Sequence, residues 1–89
     1  MLTEWLAISL LASAQFMCLP RADLVARLQE KFQESLTAVA TVNDSVLAEI
    51  WTSRDGTWTL LYTMTNGTAC MIASGKDWQA VKPRYGTGS

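Results

Sequence analysis

The 89-residue sequence contains no histidine, and its charges nearly balance, with seven Lys and Arg against eight Asp and Glu. Without histidine the chain cannot build a Ser-His-Asp triad, an imidazole proton shuttle or a usual zinc ligand set. The balanced charge gives no electrostatic reason to expect nucleic-acid binding. Imidazole-dependent catalysis and recognition of DNA or RNA are therefore not expected.

Other catalytic signatures are also scarce. The serines have no histidine base, and Gly56, Gly67 and Gly75 fall at turns or strand ends, not in a phosphate-binding loop before a helix. Asp44 and Asp55 lie at predicted turns, where such side chains bond the local backbone. The sequence therefore predicts a protein that is not an enzyme, with no catalytic residues, no metal site and no cofactor.

Apolar residues are concentrated at the N-terminus, where they fill 14 of the first 19 positions. Residues 1–17 are predicted to be a separate signal-like or anchoring segment. A signal peptide would be cleaved after Ala14, although basic residues are missing from its start. A retained membrane anchor is the second interpretation, but a span needs about 20 apolar residues. The third is an amphipathic or buried helix of a soluble protein.

The two cysteines are Cys18, directly after the apolar segment, and Cys70, in the second half of the chain. They do not form a CxxC motif, which excludes a thioredoxin-type redox site. In an exported protein they are expected to form a disulfide, which would contribute roughly 4 kcal/mol in the chain-entropy account. Two buried free thiols in a cytosolic protein are the alternative.

The spacing of apolar residues predicts a helix over residues 20–35 followed by four strands. Pro20 suits the first helical position, and Leu24, Leu28 and Phe32 recur every four residues. The period then changes to two, with strands expected at residues 36–42, 46–52, 57–65 and 68–74. This pattern predicts an α+β fold in which one N-terminal helix packs on a four-stranded antiparallel meander. Residues 18–81 would form the single domain, and residues 82–89 a flexible tail.

The turns between the strands determine which residues share a sheet face. A two-residue turn at Asn66-Gly67 would pair Thr63 with Cys70, and a four-residue loop at residues 53–56 would continue this register into the neighbouring strand. The face that carries Cys70 would be the one covered by the helix. Its expected members are Val46, Ala48, Ile50, Thr59, Leu61, Thr63, Cys70 and Ile72.

The opposite face is unusually apolar for a sheet with one helix, and Glu49 would be its only charge. A half-solvated antiparallel sheet should carry polar residues there, whereas Trp, Tyr and Met are typical of protein interfaces. This face is predicted to bind a protein partner or a second copy of the chain, unless residues 1–16 or the Trp78 tail fold over it. Its expected members are Leu47, Trp51, Trp58, Leu60, Tyr62, Met64 and Met71.

Several motifs occur together over about two-thirds of the chain. Cys18 follows the signal-like segment, the sequence EIWTSRDGTWTLL begins at Glu49, and NGTACMIASG begins at Asn66, with Trp78 beyond it. In this arrangement the chain resembles small exported proteins of alphaproteobacteria. The resemblance implies a periplasmic setting and a pairing of Cys18 with Cys70. It implies no catalytic residues, because that group has no assigned activity.

The sequence thus favours a small, non-enzymatic, disulfide-stapled interaction module that is periplasmic or membrane-associated. Its partner would be another protein or a second copy of the chain, and residues 1–17 would provide any membrane contact. Two alternatives stay open. One is a structural subunit of a membrane or virion assembly, attached through the apolar segment. The other is a small-ligand binder that uses the aromatic face as the floor of a pocket.

Overall fold

A computed structural model of the chain describes residues 16–85. One α-helix packs on a five-stranded antiparallel sheet, which confirms the predicted α+β fold. The strand order across the sheet is β1-β5-β4-β3-β2, so the last four strands form a meander. In chain order the elements are β1 (Met17–Pro20), α1 (Arg21–Phe32), β2 (Ser35–Asn43), β3 (Val46–Thr52), β4 (Trp58–Met64) and β5 (Thr68–Gly75).

The predicted number of strands is wrong by one, because Met17–Pro20 forms an additional edge strand. β1 pairs with β5 and places Cys18 directly opposite Cys70. Pro20 is tolerated at the end of this strand because an edge position does not require its missing N–H group. Four residues between an apolar block and a helix are too few to show a period of two, so this strand was not predictable from hydrophobic alternation.

The helix begins at Arg21, directly after Pro20, and ends three residues earlier than predicted. Gln33 takes the left-handed backbone conformation (φ 53°). The backbone N–H groups of Gln33 and Glu34 both donate to the carbonyl oxygen of Leu28. This closing pattern usually involves glycine, and its use of glutamine explains why the sequence did not mark the helix end.

The core lies between α1 and one face of the sheet. Leu24 and Leu28 of the helix are fully buried and pack with Trp51, Leu61 and Ala69 from three neighbouring strands. The predicted apolar stripe of the helix is therefore confirmed at Leu24 and Leu28. The third position of that stripe, Phe32, is 49% exposed because it lies at the end of the helix.

The β3–β4 and β4–β5 turns each contain three residues, whereas loops of four and two residues were predicted. The Gly56 N–H donates to the Ser53 carbonyl oxygen (3.2 Å), and the Gly67 N–H donates to the Met64 carbonyl oxygen (3.0 Å). Gly56 and Gly67 have φ values of 95° and 93°. A turn followed by a left-handed glycine is the usual three-residue hairpin connection. Each predicted register is consequently wrong by one residue.

This shift changes the composition of the two sheet faces. Along one strand neighbours alternate between faces, so a shift of one residue moves every β4 side chain to the other side. The two shifts cancel between β3 and the first part of β5, so Cys70 and Met71 are grouped with the β3 residues as expected. A bulge at Ile72, between the pairs Leu61–Met71 and Leu60–Ala73, ends this grouping, so the predicted placement of Ile72 beside Cys70 is wrong. The helix also covers the other face from the one predicted. The inner face, beneath α1, carries Leu47, Glu49, Trp51, Thr59, Leu61, Thr63, Ala69 and Met71.

Candidate interaction surface

The face of the sheet opposite α1, called the outer face, is uncharged on all five strands. α1 is the only helix within residues 16–85, and it lies on the inner side. Most of the large outer-face side chains are half-buried, and no helix or further strand of residues 16–85 packs over them. The register assigns to the outer face Cys18, Pro20, Ser35, Ala38, Ala40, Asn43, Val46, Ala48, Ile50, Thr52, Trp58, Leu60, Tyr62, Met64, Thr68, Cys70, Ala73 and Gly75.

The seven residues predicted to bind a partner do not lie together. Trp58, Leu60, Tyr62 and Met64 of β4 lie on the outer face. The other three, Leu47, Trp51 and Met71, lie on the inner face, and Trp51 is 3% exposed within the core. The one-residue shift at the turns therefore separates the predicted set. Alternation correctly identified which residues of a single strand share a face. The turn lengths decide which residues of the next strand lie on that same face.

The predicted disulfide is present, and it lies on the outer face. Cys18 and Cys70 are bonded, with their Cα atoms 4.0 Å apart, and join β1 to β5. The helix was expected to cover this bond, yet it packs on the opposite side of the sheet. Disulfides are typical of proteins that mature in an oxidising environment outside the cytosol. The bond therefore indicates export from the reducing cytosol.

Trp58 occupies one end of the outer face, where it lies over Gly75. A Cβ atom placed on Gly75 would come within 2.9 Å of the Trp58 indole nitrogen, so a side chain there would displace the ring. The same indole nitrogen donates to the carbonyl oxygen of Lys76 (3.2 Å). Gly75 is thus required by close approach of the ring, and Trp58 is held flat against the sheet.

The inner face contains a buried carboxylate that the sequence did not mark as special. Glu49 is 1% exposed and accepts four hydrogen bonds. Arg21 donates Nε and Nη2 to its two oxygens, each at 2.9 Å. Trp51 Nε1 donates at 3.0 Å and Thr63 Oγ1 at 2.8 Å. The network gives each carboxylate oxygen two donors, and it joins the helix to the sheet.

The protonation of Glu49 reflects these contacts. Burial alone would raise its pKa, but the hydrogen bonds from Arg21, Thr63 and Trp51 outweigh burial, and the pKa is lowered. The pKa of Arg21 is raised, first because of its hydrogen bonds to Glu49. The pair is therefore ionised whenever the protein is folded at neutral pH.

A second buried carboxylate, Glu34, accepts fewer hydrogen bonds than Glu49. It is 2% exposed, and its Oε2 accepts from Thr57 Oγ1 at 2.9 Å. Its Oε1 is buried and has no hydrogen-bond partner. Glu34 lines a shallow groove of about 350 Å³ at the end of α1, beside Phe32 and Met71.

Two features are absent from the part of the chain that the structure describes. No group of three His, Cys, Asp or Glu residues is placed there to hold a metal ion. No helix within residues 16–85 is long and apolar enough to cross a membrane. The signal-like segment lies almost wholly outside the described residues, so its predicted cleavage, anchoring or burial remains a prediction.

No family model, curated protein or solved structure matches this chain. The resemblance to small exported alphaproteobacterial proteins therefore rests on the motifs that carry it. Of what the resemblance implies, the pairing of Cys18 with Cys70 is present in the structure.

Proposed function

We propose that this chain is a small, non-enzymatic interaction module that binds a protein partner through its outer face. The observation that carries the proposal is the absence of charge on that face, across every strand of the sheet. Solvated sheet faces normally alternate polar side chains with the buried ones. An apolar surface with a Trp and a Tyr matches the composition of protein interface cores.

The partner is inferred to be apolar at the contact and to approach the middle of the sheet. Leu60 and Tyr62 lie at the centre of β4, with Ile50 and Ala48 beside them on β3. Aromatic residues surrounded by smaller apolar ones are typical centres of interface binding energy. An acidic or basic partner surface would lose its solvation here without gaining a counter-charge, so it does not fit.

The proposed setting is the periplasm or an equivalent oxidising compartment. Residues 1–17 would provide any association with a membrane. Support comes from the Cys18–Cys70 bond, because disulfides persist where thiols are not kept reduced. Both cysteines lie on the uncharged outer face, Cys18 on β1 and Cys70 on β5. The same covalent link therefore stabilises the sheet that presents the surface.

Site-specific photo-crosslinking tests the proposal in cells that produce the full chain. A benzophenone amino acid replaces Tyr62 on the outer face, and in a control chain it replaces Gln79, an exposed tail residue. We expect a defined adduct with another protein from position 62 and none from position 79. An adduct that maps to residues 1–15 of the same chain would overturn the proposal, because those residues would then cover the face.

Charge insertion provides an independent readout on the same surface. Tyr62→Lys should abolish capture of the crosslinked protein, because a lysine would be desolvated in an apolar contact. Gln79→Lys adds the same charge at the exposed tail and should leave capture unchanged. Far-ultraviolet circular dichroism of both variants confirms that the sheet is retained. Equal capture by both variants would show that the outer face is not the binding surface.

A further inference from the structure

The outermost strand of the sheet, β2, has unusual properties for an edge. Its nine residues, Ser35–Asn43, are all exposed, although the strand is paired with β3 along its length. Among residues 16–85 no other strand lies on its outer side. The strand contains no charge, no proline and no glycine. Natural proteins usually protect a long edge strand with charged residues, proline or β-bulges, because its unpaired backbone groups invite another strand. In β2 the only such devices are two register shifts near its ends.

Apolar side chains project from both sides of β2. Leu36 and Val39 share a side with Trp51 and Glu49 of β3, and they are 47% and 56% exposed. Val42 is 47% exposed. The helix does not shield this part of the inner face: it lies nearest to β1 and β5 and reaches as far as Trp51 of β3, and every residue of β2 is exposed. The edge therefore combines free backbone groups with apolar side chains.

We propose that β2 pairs antiparallel with β2 of a second copy of this chain, forming a two-fold dimer with one continuous ten-stranded sheet. Val39 is the middle residue of the nine-residue strand. A two-fold axis at Val39 would place the two Val39 side chains together, and Leu36 opposite Val42 of the second copy. Such a contact is self-complementary, as a two-fold interface requires.

The charges around the strand favour a second copy as the occupant. An uncharged strand that pairs with itself sets no like charges opposite one another, which would otherwise be destabilising. The residues that flank β2 are Glu34 and Asp44, both acidic. Glu34 is turned inward and 2% exposed, so it does not face Asp44 of the second copy. The register shifts of β2 lie near its two ends, between Leu36 and Ala38 and between Thr41 and Asn43, which leaves a regular central stretch for pairing.

The inference goes beyond the proposed function, because it concerns a different surface and a different partner. The regular stretch, residues 38–41, is short, and even a contact along the whole strand is smaller than a standard interface of about 1,600 Å². We therefore expect a dimer at about micromolar concentrations and above, not an obligate one. The outer faces of the two copies would then lie on the same side of one extended sheet. Two copies of the partner surface would be presented together.

Cysteine crosslinking tests the position of the axis. Both native cysteines are bonded to each other, so an introduced thiol is the only free one. Val39→Cys should form a linked dimer under mild oxidation, because the two Cα atoms would lie within disulfide reach. Leu36→Cys has similar exposure on the same strand, but its two copies would lie about 20 Å apart. We expect a covalent dimer from Val39→Cys and not from Leu36→Cys; equal crosslinking of both, or of neither, would overturn the proposed pairing.

The oligomeric state of the full chain gives the second measurement. Light scattering coupled to size exclusion should give the mass of two chains for the wild type and of one chain for Val39→Lys, because an edge lysine blocks strand addition. Val81→Lys is the control, since Val81 is 83% exposed in the tail. Tyr62→Lys should also stay dimeric, which separates this inference from the proposed function. A monomeric wild type, or loss of the dimer only in Tyr62→Lys, would overturn it.

Discussion

The guanidinium group of Arg21 and the carboxylate of Glu49 form a two-pronged ion pair, with both hydrogen bonds at 2.9 Å. The two residues are 28 positions apart, at the start of α1 and in the middle of β3. The Arg21 backbone N–H also donates to the Gly67 carbonyl oxygen at 2.8 Å. These contacts hold the first turn of the helix against the inner face, which explains why an ionisable residue is tolerated beneath it.

The ion pair predicts how stability depends on pH. Because folding lowers the pKa of Glu49, its contribution is present above the ordinary glutamate pKa and is lost as the pH falls through the lowered value. The Glu49→Gln variant cannot ionise and lacks this contribution at every pH. We expect the difference in unfolding free energy between wild type and Glu49→Gln to narrow from about pH 7 to about pH 3. Urea titrations at several pH values measure it; a difference that does not change with pH would contradict the role of the ionised carboxylate.

The same substitution should lower the unfolding free energy much more at Glu49 than at Glu34. Glu49→Met would leave Arg21, Trp51 and Thr63 without their acceptor, so we expect a loss of about 2–3 kcal/mol of unfolding free energy. Glu34→Met would remove Oε1, which has no partner, together with Oε2, which accepts from Thr57. The Thr57 hydroxyl keeps Ser53 Oγ as an acceptor, so we expect a change within about 1 kcal/mol. Chemical denaturation of the two variants at neutral pH compares them directly. A larger loss for Glu34→Met would show that its unpartnered oxygen is satisfied in solution.

Breaking the disulfide should cost a large part of the stability of so small a domain. Cys18 and Cys70 are 52 residues apart, and opening a loop of this size costs about 4 kcal/mol in the chain-entropy account. We expect a reductant to lower the thermal midpoint of the wild type. The double variant Cys18→Ser, Cys70→Ser is the control, since a reductant should leave its already lowered midpoint unchanged. A wild-type midpoint that is insensitive to reductant would contradict a structural role for the bond.

A side chain at Gly67 should destabilise the turn only through the backbone conformation that this position requires. Gly67 has a φ of 93°, and an added Cβ would meet no atom within 4 Å. Gly67→Ala should therefore lose about 1–2 kcal/mol from the left-handed conformation and nothing from a steric clash. Gly67→Asn should lose less, because asparagine tolerates this region better. Thermal unfolding of the two variants measures the difference; equal losses would point to a cause other than backbone conformation.

The sequence predicted the positions of the helix and the meander strands more accurately than the register between those strands. The periodicity of Leu24 and Leu28 located the helix, and alternation located the four strands of the meander. The register depended on loop lengths, and Asn66-Gly67 is compatible with both a two-residue turn and a three-residue turn that ends in a left-handed glycine. Local sequence does not distinguish them, because both require positive φ at Gly67. The choice is made by packing across the whole sheet.

The candidate surface was harder to predict than the fold for the same reason. Tyr62 and Trp51 were grouped because both are aromatic and the assumed register aligned them, yet they lie on opposite faces. Nothing in the local sequence around Glu49 reveals that Arg21 supplies its counter-charge. The partner is on another element, and such long-range pairings become visible only when the chain is folded. In contrast, the two cysteines were the only possible disulfide pair, so their bond was predictable.

The position of the disulfide determines how the domain would carry a mechanical load. A pull on the chain ahead of Met17 enters through β1, which is only four residues long and lies at the edge of the sheet. Backbone hydrogen bonds in so short a strand would separate under modest force. The Cys18–Cys70 bond instead transmits the tension covalently to β5, which is paired with β4 along most of its length. A load applied at the N-terminal end would therefore reach the central strands of the sheet without first separating β1 from β5.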